Sequence, residues 1–162
     1  MAELGELAMA SRLRRLSDLY WQGVTAIYRE SGIDFEVKWA TVFLLIARRG
    51  PVAITEIADQ LGITHPAVIQ IVNELVQHDL ITSAKSDIDS RKRLLTLSPA
   101  GAAMIPKMQP SWDAFSAVIR QIFEGQTHNL LLALEETEAK LAEKSFASRT
   151  RDELRRSAVP AG

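Results

Sequence analysis

Gln70 and Asn73 lie three residues apart in the run ITHPAVIQIVNEL, residues 63–75. A side-chain amide donates and accepts at once. Set close together on one helix face, two of them suit the base edges of a DNA major groove, where Gln or Asn makes paired hydrogen bonds to adenine. At the head of the run, Thr64, His65 and Pro66 join a residue type that caps helices to a proline, whose missing N–H and fixed φ suit a first helical turn. A helix begun in this way offers free N–H groups and the positive end of its dipole to an anion such as phosphate. A second cluster, Asp89-Ser90-Arg91-Lys92-Arg93, sets three cations at the exit of a turn. Arginine on a protruding tip fits a narrow minor groove, where negative potential is enhanced over A·T tracts.

These residues need elements to hold them. Val68, Ile71, Val72, Leu75 and Val76 recur at helical spacing, so one face of the run is committed to a core. The other carries Pro66, Gln70, Asn73 and Gln77, with Ile69 and Glu74 at its borders. A merely solvated helix would usually place Lys and Glu there. Just upstream, Thr55 is a plausible cap for a helix through Leu61, Gly62 closes it, and the small Ala58 lets two helices cross through a tight turn. Downstream, Leu80–Lys85 and Lys92–Leu97 flank turn-forming residues and read as a β-hairpin with Leu95 and Leu97 directed inward. Helix, glycine turn, helix and basic hairpin together make a winged helix-turn-helix, mainly α with a small β-wing.

Around that module the apolar periodicity predicts further helices. One runs from Leu4 to about Ser31 and ends at Gly32; another runs from Phe35 to Arg49, capped by Asp34 and buried on more than one side. A helix starts at Ser98-Pro99, and Pro106 and Pro110 are expected to kink or interrupt it. A last helix, capped by Thr127, places Leu130, Leu131, Leu134, Thr137 and Leu141 on one side, and the charged tail beyond Ser145 is expected to fray.

The 162 residues are 47% apolar with a formal net charge of -1, enough for one well-cored domain with extensions. No apolar run approaches the roughly 20 residues of a membrane span, and no signal-peptide core is present, so a cytoplasmic protein is expected. Without cysteine there is no disulfide or thiolate metal site, and His65, His78 and His128 lack ligand spacing. There is no Ser-His-Asp set, no paired acids on one helix face and no Gly-rich phosphate loop. Neither an enzyme nor a cofactor is expected. Across Val52–Gly101 the four cations Lys85, Arg91, Lys92 and Arg93 are outnumbered by six acids, so attraction to DNA must come from local placement or from Arg48, Arg49 and the arginines of the first helix.

Asp89, Arg91, Leu95, Leu97, Ser98 and Gly101 satisfy the pattern D-x-R-x-x-x-L-x-L-T/S-x-x-G, with the helix pair upstream at the expected distance. In this the chain resembles the multiple-antibiotic-resistance regulator (MarR) family of winged helix-turn-helix repressors, from about Leu4 to Leu141. The resemblance implies a homodimer intertwined through its terminal helices, Arg91 as a minor-groove arginine oriented by Asp89, and Thr64, His65, Pro66, Gln70 and Asn73 on the DNA-facing part of the recognition helix. Lys92 and Arg93 join this DNA-binding set. The implied organisation is an N-terminal dimerisation helix at 1–33, a DNA-binding domain at 34–101, C-terminal dimerisation helices at 102–145 and a charged tail at 146–162. A narrower resemblance, through Leu13–Asp18, Thr64-His65-Pro66 and Lys144-Ser145-Phe146, is to the regulator half of fusions between this family and a GNAT-type acyltransferase. No acyltransferase segment follows, so no catalysis is expected.

Two further partners are expected besides double-stranded DNA. The apolar surface of the first and last helices exceeds what a small winged domain covers, which points to a second copy of the chain. Tyr20, Tyr28, Trp39, Trp112 and Phe115 border the junction where ligands of the family often lie, a candidate site for a small aromatic effector, although each ring could equally fill core. The alternative to a regulator is a winged-helix interaction module, or the regulatory half of an acyltransferase system, without strong DNA affinity.

Overall fold

The computed structural model describes residues 2–85 and 93–157. They form seven α-helices and three short strands, in two compact units, Met1–Phe115 and Ser116–Gly162. Among the described residues no helix is long and apolar enough to cross a membrane.

In the first unit, 3-10 turns at Ala2–Ala8 lead into α1, Met9–Glu30. The helix thus begins later than its periodicity predicts, because Gly5 takes a left-handed φ of 50° that breaks the α path. The second helix also starts late: residues 33–36 have no regular structure, Val37–Trp39 form a 3-10 turn, and α2 is Ala40–Arg49. Asp34 therefore caps nothing. Phe35 and Trp39 are both buried, and an α-turn through these residues yields to the long-range anchoring of Trp39 described below. Val42, Phe43, Leu45 and Ile46 bury α2 on more than one side, as its composition predicts.

The helix pair is α3, Ile54–Leu61, and α4, His65–Gln77. Ala53 rather than Thr55 occupies the N-cap of α3, without a side-chain bond, since the preceding β1, Val52–Ala53, brings the chain in already extended. Gly62 sits at φ 62°, ψ 26°, and the Ile63 N–H returns to the Ala58 carbonyl at 3.2 Å, which closes the turn. Ile57, Val68, Leu75 and Leu95 are fully buried between the pair and the sheet.

The sheet has the order β1-β3-β2, all antiparallel, with β2 at Ile81–Lys85 and β3 at Arg93–Leu97. Val52 pairs with Leu95 and Ser83 with Leu95 on the opposite edge, so Leu95 is central and Leu97 is half-buried beside it. On the other face the Thr82 and Thr96 hydroxyls meet at 2.9 Å.

The hairpin is tied to both neighbouring helices by a compact polar joint. Ser98 is buried; its hydroxyl donates to the Asp79 carbonyl and accepts the Gly101 N–H at 2.9 Å, which caps α5, Pro99–Phe123. The Ser98 N–H in turn donates to the Leu80 carbonyl at 3.1 Å. Gly101 lies so close to that carbonyl that a Cβ would come within 1.9 Å of its oxygen.

Helix α5 runs unbroken through Pro106 and Pro110, against the expected interruption. Spaced four residues apart, the second proline lacks the donor that would have met the first one's carbonyl, and the fully buried Met108 anchors the segment between them. In the second unit Asn129, not Thr127, caps α6, Leu130–Glu143, its side chain accepting the Leu131 and Leu132 N–H groups at 3.0 and 3.3 Å. Asn129 stands directly before the helix, the position from which a short side chain reaches those donors. The segment read as a fraying tail is helical: α7 spans Phe146–Ser157. Ser145 accepts the Ser148 N–H, Lys144 pairs with Asp152, and the Arg149 guanidinium donates to the Lys144 and Lys140 carbonyls, satisfying the end of α6.

Gly101→Ala gains about 1 kcal/mol of helix propensity, yet the Leu80 clash outweighs it by overpacking of about 1–3 kcal/mol or more. The variant is therefore expected to melt several degrees below the parent in a calorimetric scan. An equal or higher Tm would mean that the joint is looser than described.

Candidate nucleic-acid interface

Helix α4 presents one continuous outer face. His65, Pro66, Ile69, Gln70, Asn73, Val76 and Gln77 are exposed, while Val68, Val72 and Leu75 are buried behind them. The periodicity read from the sequence thus separates the two faces except at Val76, which it assigns to the core but which sits exposed in the last turn of the helix. Thr64 is the N-cap residue, exposed and in the extended region, but its side chain makes no capping bond. Pro66, the second helical residue, has no N–H to offer such a cap.

Glu74 is the single Asp, Glu, Lys or Arg residue of α4, and it is not a solvated charge. Its Oε2 accepts the Trp39 indole N–H at 2.6 Å and lies 2.7 Å from the Lys38 ammonium, which also approaches Glu36 at 3.0 Å. Its Oε1 faces the Gln70 amide, Nε2 donating at 3.4 Å. The Lys38 hydrogen bond, with the Trp39 indole second, holds the Glu74 carboxyl below the usual carboxylate range, and the same bond raises the Lys38 ammonium above the usual lysine value. The outer face of α4 is accordingly amide and apolar, its one charge compensated from the Val37–Trp39 turn. The sequence signal was a lone acid on an otherwise uncharged face; its partners lie too far away in the chain to be read from spacing.

The hairpin carries Arg93 exposed at the start of β3, in register with Lys85. Asp89, Arg91 and Lys92 lie outside the described residues.

The expected effector residues divide. Tyr28 and Trp39 are buried, and Trp112 and Phe115 are half-buried against them. The Trp112 indole donates to the Tyr28 hydroxyl at 2.9 Å, and the Tyr28 ring lies 5.8 Å from Phe115 and 6.0 Å, edge-on, from Phe35. Phe35 continues the cluster to Trp39 at 5.5 Å, and the His78 ring lies tilted to that indole at 4.6 Å. Burial raises the Tyr28 phenol above its ordinary value, the Trp112 bond opposing this, so it stays neutral. Tyr20, half-buried on α1, takes no part in these ring pairs. Four of the five rings therefore pack as core.

Residues 31–92, which include the helix pair, match the model of the MarR family. No curated protein matches the chain. Among solved structures, the PcaV transcriptional regulator of Streptomyces coelicolor, in complex with its natural ligand, is 12% identical with a TM-score of 0.66 over 90% of this chain and 96% of that one. BpsR of Bordetella bronchiseptica, described for regulation of its DNA binding by 6-hydroxynicotinic acid, is 19% identical, TM-score 0.56, over 79% and 91%. A MepR variant of S. aureus bound to an oligodeoxyribonucleotide is 15% identical, TM-score 0.52, over 83% and 94%. The fold is the winged helix of these solved regulators.

Because Glu74 is depressed in the folded state, its pairing stabilises fully above the ordinary carboxylate value and is lost as pH falls through the lowered one. The Tm gap between the parent and Glu74→Gln is expected to be widest near neutrality and to close on acidification. A gap that does not vary with pH would remove the ion pair from the account.

Proposed function

We propose that this chain, whose helix-turn-helix is of the MarR family, is a sequence-specific DNA-binding transcriptional regulator, a repressor acting as a homodimer on a pseudo-palindromic operator. The observation that carries the reading is the outer face of α4: two exposed amides behind an uncapped, proline-stiffened first turn, with no free charge of its own. Thr64, His65 and Pro66 bring the helix N-terminus to phosphate, and Gln70 and Asn73 reach base edges. Arg91 enters the minor groove, oriented by Asp89, with Lys92 and Arg93 on the flanking phosphates.

Dimerisation is supported by apolar side chains that stay exposed in each unit. On α1 these include Leu13, Leu16, Leu19, Trp21 and Ile27; in the second unit they include Val118, Ile122, Leu131, Leu132 and Leu141. A two-fold pair sets two reading helices about one DNA turn apart. A monomeric mass at micromolar concentration would exclude it.

A small aromatic effector completes the proposal, docking at Tyr20 and the half-buried edges of Trp112 and Phe115, beside Tyr28 and Trp39. The ligand complex of PcaV and the regulation of BpsR by 6-hydroxynicotinic acid support an effector by analogy. One observation favours a second reading, an interaction module: acids outnumber cations across Val52–Gly101.

Selection from random duplexes at two salt concentrations separates the two. A regulator enriches a pseudo-palindrome, whereas an interaction module enriches nothing. On the enriched site, Arg91→Ala is expected to weaken binding most where the flanks are A·T-rich and to reduce the salt slope by about one. Gln70→Ala is expected to cost about 1–3 kcal/mol at a single base step. Full affinity in Arg91→Ala would take the wing out of the mechanism.

A further inference from the structure

We infer that Glu74 is a specificity-determining positioning residue: held by Lys38 and Trp39, it fixes the orientation of the Gln70 amide so that α4 prefers adenine to guanine at one base step. The inference rests on the DNA-reading role proposed for α4.

Three contacts carry it. Glu74 Oε2 is held by two donors from the same short turn, the Trp39 indole at 2.6 Å and the Lys38 ammonium at 2.7 Å. That indole is buried, edge-on to Phe35 and 4.6 Å from the His78 ring, so one of the two anchors ties the carboxylate to core. The remaining oxygen, Oε1, faces Gln70 Nε2 at 3.4 Å. An ionised carboxylate only accepts. If the amide turned over, its own oxygen would face Oε1, acceptor against acceptor, so the carboxylate selects the orientation with nitrogen inward.

The consequence for recognition is chemical. With one N–H held by Glu74, Gln70 keeps its carbonyl oxygen and its second N–H for the groove, one acceptor beside one donor. Adenine offers the complement, an N6 donor beside an N7 acceptor, whereas guanine offers two acceptors, O6 and N7. A free amide can turn its NH2 toward guanine O6; a held amide meets that oxygen with its own. Glu74 thus excludes the wrong base without touching DNA, and its compensation by Lys38 keeps its charge from repelling the duplex.

The test uses the full chain and the duplex it enriches from a random pool, with adenine replaced by guanine at the step sensitive to Gln70→Ala. The parent is expected to favour adenine by about tenfold, and Glu74→Gln, whose own amide can donate or accept, to lose most of that ratio. In the Gln70→Ala background Glu74→Gln should leave the ratio at that step unchanged, which a merely structural role for Glu74 would not predict. Should Glu74→Gln fold poorly, Lys38→Met carries the same expectation in smaller measure, since it frees one of the two anchors. An adenine-to-guanine ratio unaltered in the folded variant overturns the inference while leaving the regulator reading intact. A parent chain that enriches no sequence overturns both.

Discussion

The Trp39 indole, the Lys38 ammonium and the Glu74 carboxylate meet at one point, and α4 is set by that meeting. The acid belongs to α4, its two donors to the turn that precedes α2, and the indole is also a member of the aromatic core. Three consequences follow from one contact. Residues 33–39 are kept out of an α-helical path so that Trp39 reaches α4; α4 is fixed about its own axis; and its one acid is compensated by a neighbouring lysine. A recognition face without free charge gains little from phosphate attraction and must rely on hydrogen bonds and shape for its selectivity, with nonspecific attraction supplied elsewhere.

A second joint holds the hairpin to the helices. Leu95 is central to the sheet, Ser98 caps α5 and ties back to Asp79, and Gly101 leaves room for the Leu80 carbonyl. These members of the sequence pattern are structural, needed wherever a hairpin must turn directly into a long helix against the end of another. Asp89 and Arg91, at the other end of the pattern, lie outside the described residues.

What the sequence made legible was local. The two faces of α4, the glycine turn of the helix pair and both hairpin strands follow from periodicity and turn chemistry, which act within a few residues. Where the reading failed, a more distant or competing group decided. Phe35 and Trp39 have helix-compatible spacing, but a bond across 35 residues of sequence governs the start of α2. Thr64 stands at the N-cap of α4 without a side-chain bond, and Asn129 displaced Thr127 by standing nearer the helix. Charged residues 146–157 became a helix because Lys144, Arg149 and Asp152 pair across the bend, a reciprocity invisible to composition. Of the aromatic residues offered as an effector site, Tyr28, Trp39, Trp112 and Phe115 pack as core, which only burial shows.

The central claim is that the outer face of α4 reads a major groove. Methylation protection on the enriched duplex tests it most directly, because dimethyl sulfate marks guanine N7 in the major groove and adenine N3 in the minor groove separately. The account predicts two major-groove footprints about one helical turn apart, each flanked by minor-groove protection. Protection confined to the minor groove, or none in a complex that still forms, would contradict it.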